Sequence, residues 1–273
     1  MKTDIGILLP ETARALEKLQ RYMLESRNVL VAFSGGMDSS LLALAAQRFI
    51  PDGYQTILVD SEFMAASEMR IARATAIRHG LKLKEIKIRA LDEPLVAANP
   101  ALRCYYCKKT IFTRILAEAE PQQKVCEGSI TDDNTDYRPG KIALKELNIC
   151  SPLLDCGFSK AMVSEVLQLW GAANLIRSAQ SCLATRIETD TPIEAAILLK
   201  IEKGEELMHE AGLTNCRLRH HKNLARIEVE PDQIHRALDT AKYLAQKLKE
   251  LGYQHICIDI DGYRKGSMNR PKN

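Results

Sequence analysis

Residues 28–49 read NVLVAF-SGGMDSS-LLALAAQRF: an apolar run, a polar glycine turn and an apolar helical stretch in direct succession. The run Asn28–Phe33 lacks polar alternation, as expected of a strand buried on both faces of a parallel sheet. The turn Ser34–Ser40 then sits at the carboxyl end of that strand and opens a helix, where doubly wound folds bind ligands. Gly35 and Gly36 let the backbone approach an anion. Ser34, Ser39 and Ser40 add hydroxyls, and the helix start offers unpaired N–H groups to phosphate. The loop lacks the lysine of G-x-x-x-x-G-K-[ST], so it is not a Walker A motif. Asp38 beside a phosphate requires a cation between them, which points to Mg2+ held by carboxylate and phosphate oxygens. A plain glycine turn with Asp38 as a helix cap is the alternative.

The same alternation continues outward. A strand over 54–60, a helix over 66–79, a strand over 82–88, a helix from about Tyr105 and a strand over 124–128 predict an α/β fold. Its core is a doubly wound, mainly parallel sheet. Ser159 is a fitting N-cap for SKAMVSEVLQLW, and residues 176–192, without a clean period, read as an exposed linker or loop. A helix from Ile193 to about Ala211 comes next, then strands CRLRHH and LARIEV joined by a turn at Lys222-Asn223. A helix over 232–249 and a strand over 255–260 complete a smaller α+β domain. The expected division is 1–177 and 178–273, in keeping with a soft prior of about 150 residues per domain.

The chain has 273 residues, 46% apolar and 27% charged, with a net charge of +3. That is ordinary globular composition, and its balance is too mild to indicate nucleic-acid binding. The first residues carry Asp4 and Glu11 and do not read as a signal peptide; no window is apolar enough to span a bilayer. A cytoplasmic protein is expected, where thiols stay reduced. Cys126, Cys150, Cys156, Cys216 and Cys257 then read as small buried hydrophobes.

Cys104 and Cys107 differ, standing one turn apart in RCYYCKK beside Arg103, Lys108 and Lys109. Thiols at a helix start beside cations ionise readily. With Cys182 of SCLATRI they make three thiol donors. Zinc would need a fourth ligand, for which His220 or His221 could serve. An iron–sulfur cluster on three cysteines would leave one iron open. Spacing alone also allows a helix cap or a redox pair.

Strand, S-G-G-x-D-S and helix in this order resemble the PP-loop pyrophosphatase superfamily, whose members bind ATP, release pyrophosphate and form adenylylated intermediates. Five further motifs lie along the chain: RCYYCKK (103–109), NTDYRPG (134–140), SCLATRI (181–187), RLRHHKNLARIEV (217–229) and DIDGYRKGSMN (259–269). Together, over about residues 15–269, they resemble the LarE-type sulfur transferases, in the same order. That family makes the pyridinium thiocarboxylate mononucleotide from which the nickel-pincer nucleotide of lactate racemase is built. One version sacrifices the sulfur of a single cysteine. The other holds a 4Fe-4S cluster on three, and Cys104, Cys107 and Cys182 look like that version.

The resemblance implies an ATP- and Mg2+-dependent enzyme in which a nicotinate-derived mononucleotide carboxylate attacks the α-phosphate and sulfur then displaces AMP. Its first domain would bind ATP and its second would serve substrate and sulfur transfer. Asp60 and Ser61, past the second strand, and Gly128, past the fourth, stand where adenosine would lie. Arg217 and Arg219 share one strand face, which is either solvated or, as the resemblance implies, a phosphate clamp joined by Thr185 and Arg186. Glu205 and Glu228 match acidic positions that can meet a cation. Arg138 could stabilise the transition state or cap a sheet edge. A small-molecule acceptor, a sulfide donor and self-association are the implied partners.

One departure stands out: Glu188, Thr189 and Asp190 replace the family's Pro-Tyr-Gly. A tRNA thiolase, an amidating synthetase and a non-catalytic ATP- or metal-binding adaptor are the rival readings.

Overall fold

The computed structural model describes residues 8–135, 139–177, 180–264 and 267–268. They form two compact units, one of Met1–Ile88 with Cys104–Gln180 and the other of Arg89–Arg103 with Ser181–Asn273.

The first unit carries β1 (Val29–Ala32), β2 (Tyr54–Asp60), β3 (Leu83–Lys87) and β4 (Lys124–Cys126) in one parallel sheet of order β3-β2-β1-β4. Alternate side chains feed two cores. Val29, Val31 and Leu58 join the core of α1 (Pro10–Ser26), α2 (Met37–Phe49) and α8 (Lys160–Leu169). Leu30, Ile57 and Val125 pack with Phe112 and Ile115 of α5 (Arg103–Ala117) and with Leu144 of α6 (Gly140–Glu146). Both faces of the sheet are therefore covered, which is why β1 reads as an unbroken apolar run. In α1 the apolar face is Leu16, Leu19 and Met23; α2 is buried from Leu41 through Ala46. The remaining helices of this unit are α3 (Ala66–His79) and α7 (Pro152–Asp155), and α8 starts on an N-cap Ser159 that accepts from Met162 N. Because β2 and β3 lie on one side of β1 and β4 on the other, the switch point falls between β1 and β4.

The second unit has β5 (Arg217–His221), β6 (Leu224–Glu228) and β7 (His255–Ile258), with β5–β6 antiparallel and β6–β7 parallel. It also holds α4 (Pro94–Ala97), α9 (Ala195–Glu210), α10 (Ile234–Asp239) and α11 (Ala241–Glu250). Leu218, Ala225, Ile227, Met208, Leu244 and Leu248 make its core. The single helix expected over 232–249 is broken at Thr240, whose hydroxyl donates to Arg236 O at 3.0 Å; such back-bonding competes with the helix ladder. In the segment expected to be an exposed linker or loop, Ser181, Cys182 and Glu188 are exposed but Leu183, Ala184, Arg186 and Ile187 are buried. Ile187 bridges His220 of β5, and a 3-10 turn runs through Leu183–Arg186. No helix among the described residues is long and apolar enough to cross a membrane.

Candidate functional site

The phosphate loop leaves β1 and enters α2 at N-cap Gly36, so the first backbone N–H groups of α2 have no carbonyl partner within the helix. Gly35 adopts φ +72°, and a Cβ there would lie 2.6 Å from Ala72 Cα. Conformation and space both demand glycine. Ser39 Oγ accepts from Ser34 N at 3.2 Å, meets Ser34 Oγ at 3.1 Å and donates to Gly36 O. The hydroxyls of Ser34 and Ser39 thus fix the loop's own shape. Gly128, just past β4, completes the switch point: a Cβ on it would come within 2.9 Å of Ser39 N.

Asp38 and Ser40 are poised differently. Asp38 Oδ2 meets Lys160 Nζ at 3.4 Å, while Asp38 Oδ1 and Ser40 Oγ are buried with no hydrogen-bond partner among the described residues. Burial raises the Asp38 carboxyl above its ordinary range, Lys160 opposes that, and Asp133 and Asp132 add to it. A buried carboxylate with one oxygen unmatched suits a cation, so the residues fit Mg2+. Asp60 and Ser61 are half-buried at the end of β2.

Two residues of this neighbourhood were not singled out by the sequence. Lys160 opens α8 and reaches Asp38. Arg177 grips Glu68 with both terminal nitrogens, at 2.8 and 2.6 Å, and donates to Gly35 O at 3.3 Å. It ties α3 to the phosphate loop. The only advance signal for Lys160 was its place one residue after a helix cap; Arg177 gave none. Arg138 lies outside the described residues.

Cys104 and Cys107 share the first turn of α5, the former exposed and the latter half-buried. Cys182, in the second unit, is exposed, and Arg103 donates to its sulfur at 3.5 Å. Among the described residues no three His, Cys, Asp or Glu side chains are gathered as a metal site. His220 is instead buried, its Nδ1 3.1 Å from Tyr253 Oη.

The charged residues of β5 and β6 are not on a solvated face. Arg217 and Arg219 are 6% and 3% exposed, and both guanidinium groups lie over the Tyr263 ring, at 5.2 and 5.9 Å from its centroid. Arg219 Nε donates to Glu228 Oε2 at 2.8 Å and Arg219 also donates to Thr185 O. Glu228, wholly buried, further accepts from Arg226 and Ser267. Arg186 grips Glu205 through two 2.9 Å bonds, and Glu205 also accepts from Leu218 N. Arg186 donates as well to Ser181 O, Cys182 O and the Thr185 hydroxyl, fixing the backbone that presents Cys182. Arg217 donates through Nη1 to Cys216 O at 2.7 Å, and its Nε, like Arg226 Nε and His221 Nε2, has no hydrogen-bond partner among the described residues. Burial lowers the Arg217 pKa, with Arg186 adding to the effect. Tyr263 carried no signal in the sequence that set it apart from other tyrosines.

The turn that departs from the family pattern keeps a glycine-like backbone, with Asp190 at φ +64°. Aspartate tolerates that region better than most residues. Asn99 clasps the turn, donating to Glu188 O and Thr191 O at 2.8 and 3.1 Å and accepting from Asp190 N.

A parallel sheet of this order with a glycine–serine loop at its switch point defines an ATP-using enzyme of the PP-loop superfamily, and the asparagine synthase family matches residues 13–111. The chain is 32% identical to an uncharacterized protein of Synechocystis sp., across 93% of this chain and 97% of that one. It is 31% identical to an uncharacterized protein of Methanocaldococcus jannaschii, across 88% and 92%. It is 29% identical to the pyridinium-3,5-bisthiocarboxylic acid mononucleotide synthase of Lactiplantibacillus plantarum, across 93% and 91%. The chain belongs to the LarE-type sulfur transferases of the PP-loop superfamily.

Proposed function

We propose that the protein adenylylates the carboxylate of a nicotinate-derived pyridinium mononucleotide with ATP, releases pyrophosphate, and exchanges AMP for sulfur to give a thiocarboxylate. The observation that carries this reading is the phosphate loop, with Asp38 Oδ1 buried and unmatched beside Lys160. The α2 N-terminus and Ser40 would bind the β- and γ-phosphates, and Lys160 would follow the charge that grows on leaving pyrophosphate. Asp38 would hold Mg2+, which supplies further neutralisation of that charge. Asp60, Ser61 and Gly128 would line the adenosine pocket in the first unit.

The second unit would take the acceptor. Arg217, with its spare donor, would bind the acceptor's phosphate, and Arg219 would stand beside it on the same strand face. Arg186 and Thr185 would position the Cys182 segment, and Glu205 and Glu228 would anchor the arginines. Arg138, assigned through its sequence motif alone, is proposed for transition-state charge. Cys104, Cys107 and Cys182 would hold a 4Fe-4S cluster, whose chemistry when bound is to supply a nucleophilic sulfide.

Incubation with Mg·ATP, sulfide and the phosphorylated pyridinium carboxylate, then mass spectrometry, tests the reading. AMP together with a product carrying sulfur for oxygen is expected; AMP without a sulfur-bearing product, or thiolation of tRNA instead, overturns it. Anaerobic protein is expected to contain iron and acid-labile sulfide with broad visible absorption, lost in Cys104→Ala. Colourless, iron-free protein after reconstitution removes the cluster and leaves Cys182 as a sacrificial donor, read as loss of its sulfur mass.

A further inference from the structure

A second thiol pair lies in the first unit, distinct from Cys104, Cys107 and Cys182. Cys126 ends β4, and Cys150 extends the sheet beside it through a parallel bridge. Cys150 N donates to Val125 O and Glu127 N donates to Cys150 O, each at 2.9 Å. Register partners on neighbouring parallel strands lie about 4.8 Å apart with side chains on one face. That is inside the Cα separation of roughly 4.4–6.8 Å that a disulfide spans but just beyond its Cβ separation of roughly 3.5–4.5 Å, so closing the bond has to move the two segments. Both side chains enter the same core, Cys126 wholly buried and Cys150 half-buried. A peroxide can therefore reach Cys150, with Cys126 behind it.

The surroundings favour reaction at Cys150. The neighbouring Cys126 thiol and Tyr22 hydroxyl, with Lys124 nearby, bring the Cys150 thiol down to about 6 against its partial burial, while the Cys126 thiol is also within reach of Lys124 O at 3.7 Å. The same coupling and burial hold Cys126 well above the ordinary thiol range, so it stays protonated until needed. A thiolate at the mouth and a thiol within is the arrangement of an attacking and a resolving cysteine.

The two residues after Cys126 tie the pair to the phosphate loop. Glu127 is buried and accepts from Ser129 N, the Ser129 hydroxyl and the hydroxyl of Ser151, the residue after Cys150. Next comes Gly128, pressed against Ser39 N.

We propose that Cys126 and Cys150 are an oxidisable dithiol which a hydroperoxide converts to a disulfide, shifting Glu127–Gly128 and weakening nucleotide binding. The Cys150 thiolate attacks the peroxide's terminal oxygen, the O–O bond breaks, and an alcohol and a sulfenic acid result. The Cys126 sulfur then displaces the sulfenic hydroxyl, which leaves as water as the S–S bond closes. Both sulfurs are oxidised by one electron each and the peroxide is reduced by two. The effect on the nucleotide rests on the proposed ATP site; the disulfide does not.

The full-length chain carrying Cys104→Ser, Cys107→Ser and Cys182→Ser is treated with tert-butyl hydroperoxide, alkylated, digested without reductant and analysed by mass spectrometry. ATP affinity is measured before oxidation, after it and after dithiothreitol. A Cys126–Cys150 linked peptide is expected, with about a tenfold rise in Kd for ATP that dithiothreitol reverses. Adding Cys150→Ser, at the half-exposed position, abolishes both changes. Cys150 oxidised to sulfinic acid without a linked peptide overturns the pair, and a linked peptide with unchanged Kd overturns the switch. Reduced protein that does not bind ATP sinks the ATP reading instead, while the linked peptide still decides the dithiol.

Discussion

In the phosphate loop, buried polar atoms stand unmatched beside a single lysine, whereas in the β5–β6 pair nearly every buried charge already has its partner. Asp38 Oδ1 and Ser40 Oγ have none among the described residues, while Glu228 accepts from Arg219, Arg226 and Ser267. The first arrangement costs stability and is useful only when something charged arrives; the second is self-sufficient and holds a strand in register. Within the second region Arg186, Arg219 and Arg226 each face a carboxylate, whereas Arg217 has a spare Nε donor and its Nη1 on the Cys216 carbonyl, which is why the acceptor phosphate is proposed for it rather than for Arg186 or Arg219.

Substitutions separate the two regions. Asp38→Asn is expected to lower adenylylation about a thousandfold, the scale of several kcal/mol of charge stabilisation, with thermal stability unchanged or raised. A fall in Tm instead would make Asp38 a structural residue like Glu228. Glu228→Gln should do the reverse, leaving the buried Arg219 guanidinium without its countercharge and costing about 3–5 kcal/mol in urea unfolding. Gly35→Ala combines a left-handed backbone, worth about 1–2 kcal/mol of strain, with the contact against Ala72, and should weaken ATP binding about tenfold as read by calorimetry. Arg217→Ala should raise KM for the phosphorylated acceptor by about the same factor with a smaller stability loss than Glu228→Gln; equal stability losses would erase the distinction drawn for Arg217.

The smallest effect is in pH. The Asp38 carboxyl is raised in the free protein by burial, and on the proposed reading Mg·ATP binds its ionised form. Affinity should therefore fall as pH drops through a window above the ordinary carboxylate range and be flat above it. In Asp38→Asn that slope should vanish.

The parallel sheet and its loop were legible because their signals are local: an apolar run, glycines and hydroxyls within a few residues. The burial of Leu183, Ala184, Arg186 and Ile187 was not, since Arg186 is satisfied by Glu205 and Ile187 by His220, far along the chain. Nor was the place of residues 89–103 in the second unit, which shows in the grip of Asn99 on the 188–191 turn. Cys150 was read as a buried hydrophobe and is half-exposed, because only the sheet edge places it. Lys160 and Arg177 were hidden among many surface-type cations; nothing in a side chain's identity announces which one folds against a loop.

Acceptor-dependent exchange of labelled pyrophosphate into ATP tests the central claim most directly, since it reads adenylylation whatever the source of sulfur. Label should enter ATP only when both Mg2+ and the pyridinium mononucleotide carboxylate are present, and not in Asp38→Asn. Exchange without the acceptor, or none with it in protein that binds ATP, would contradict the account.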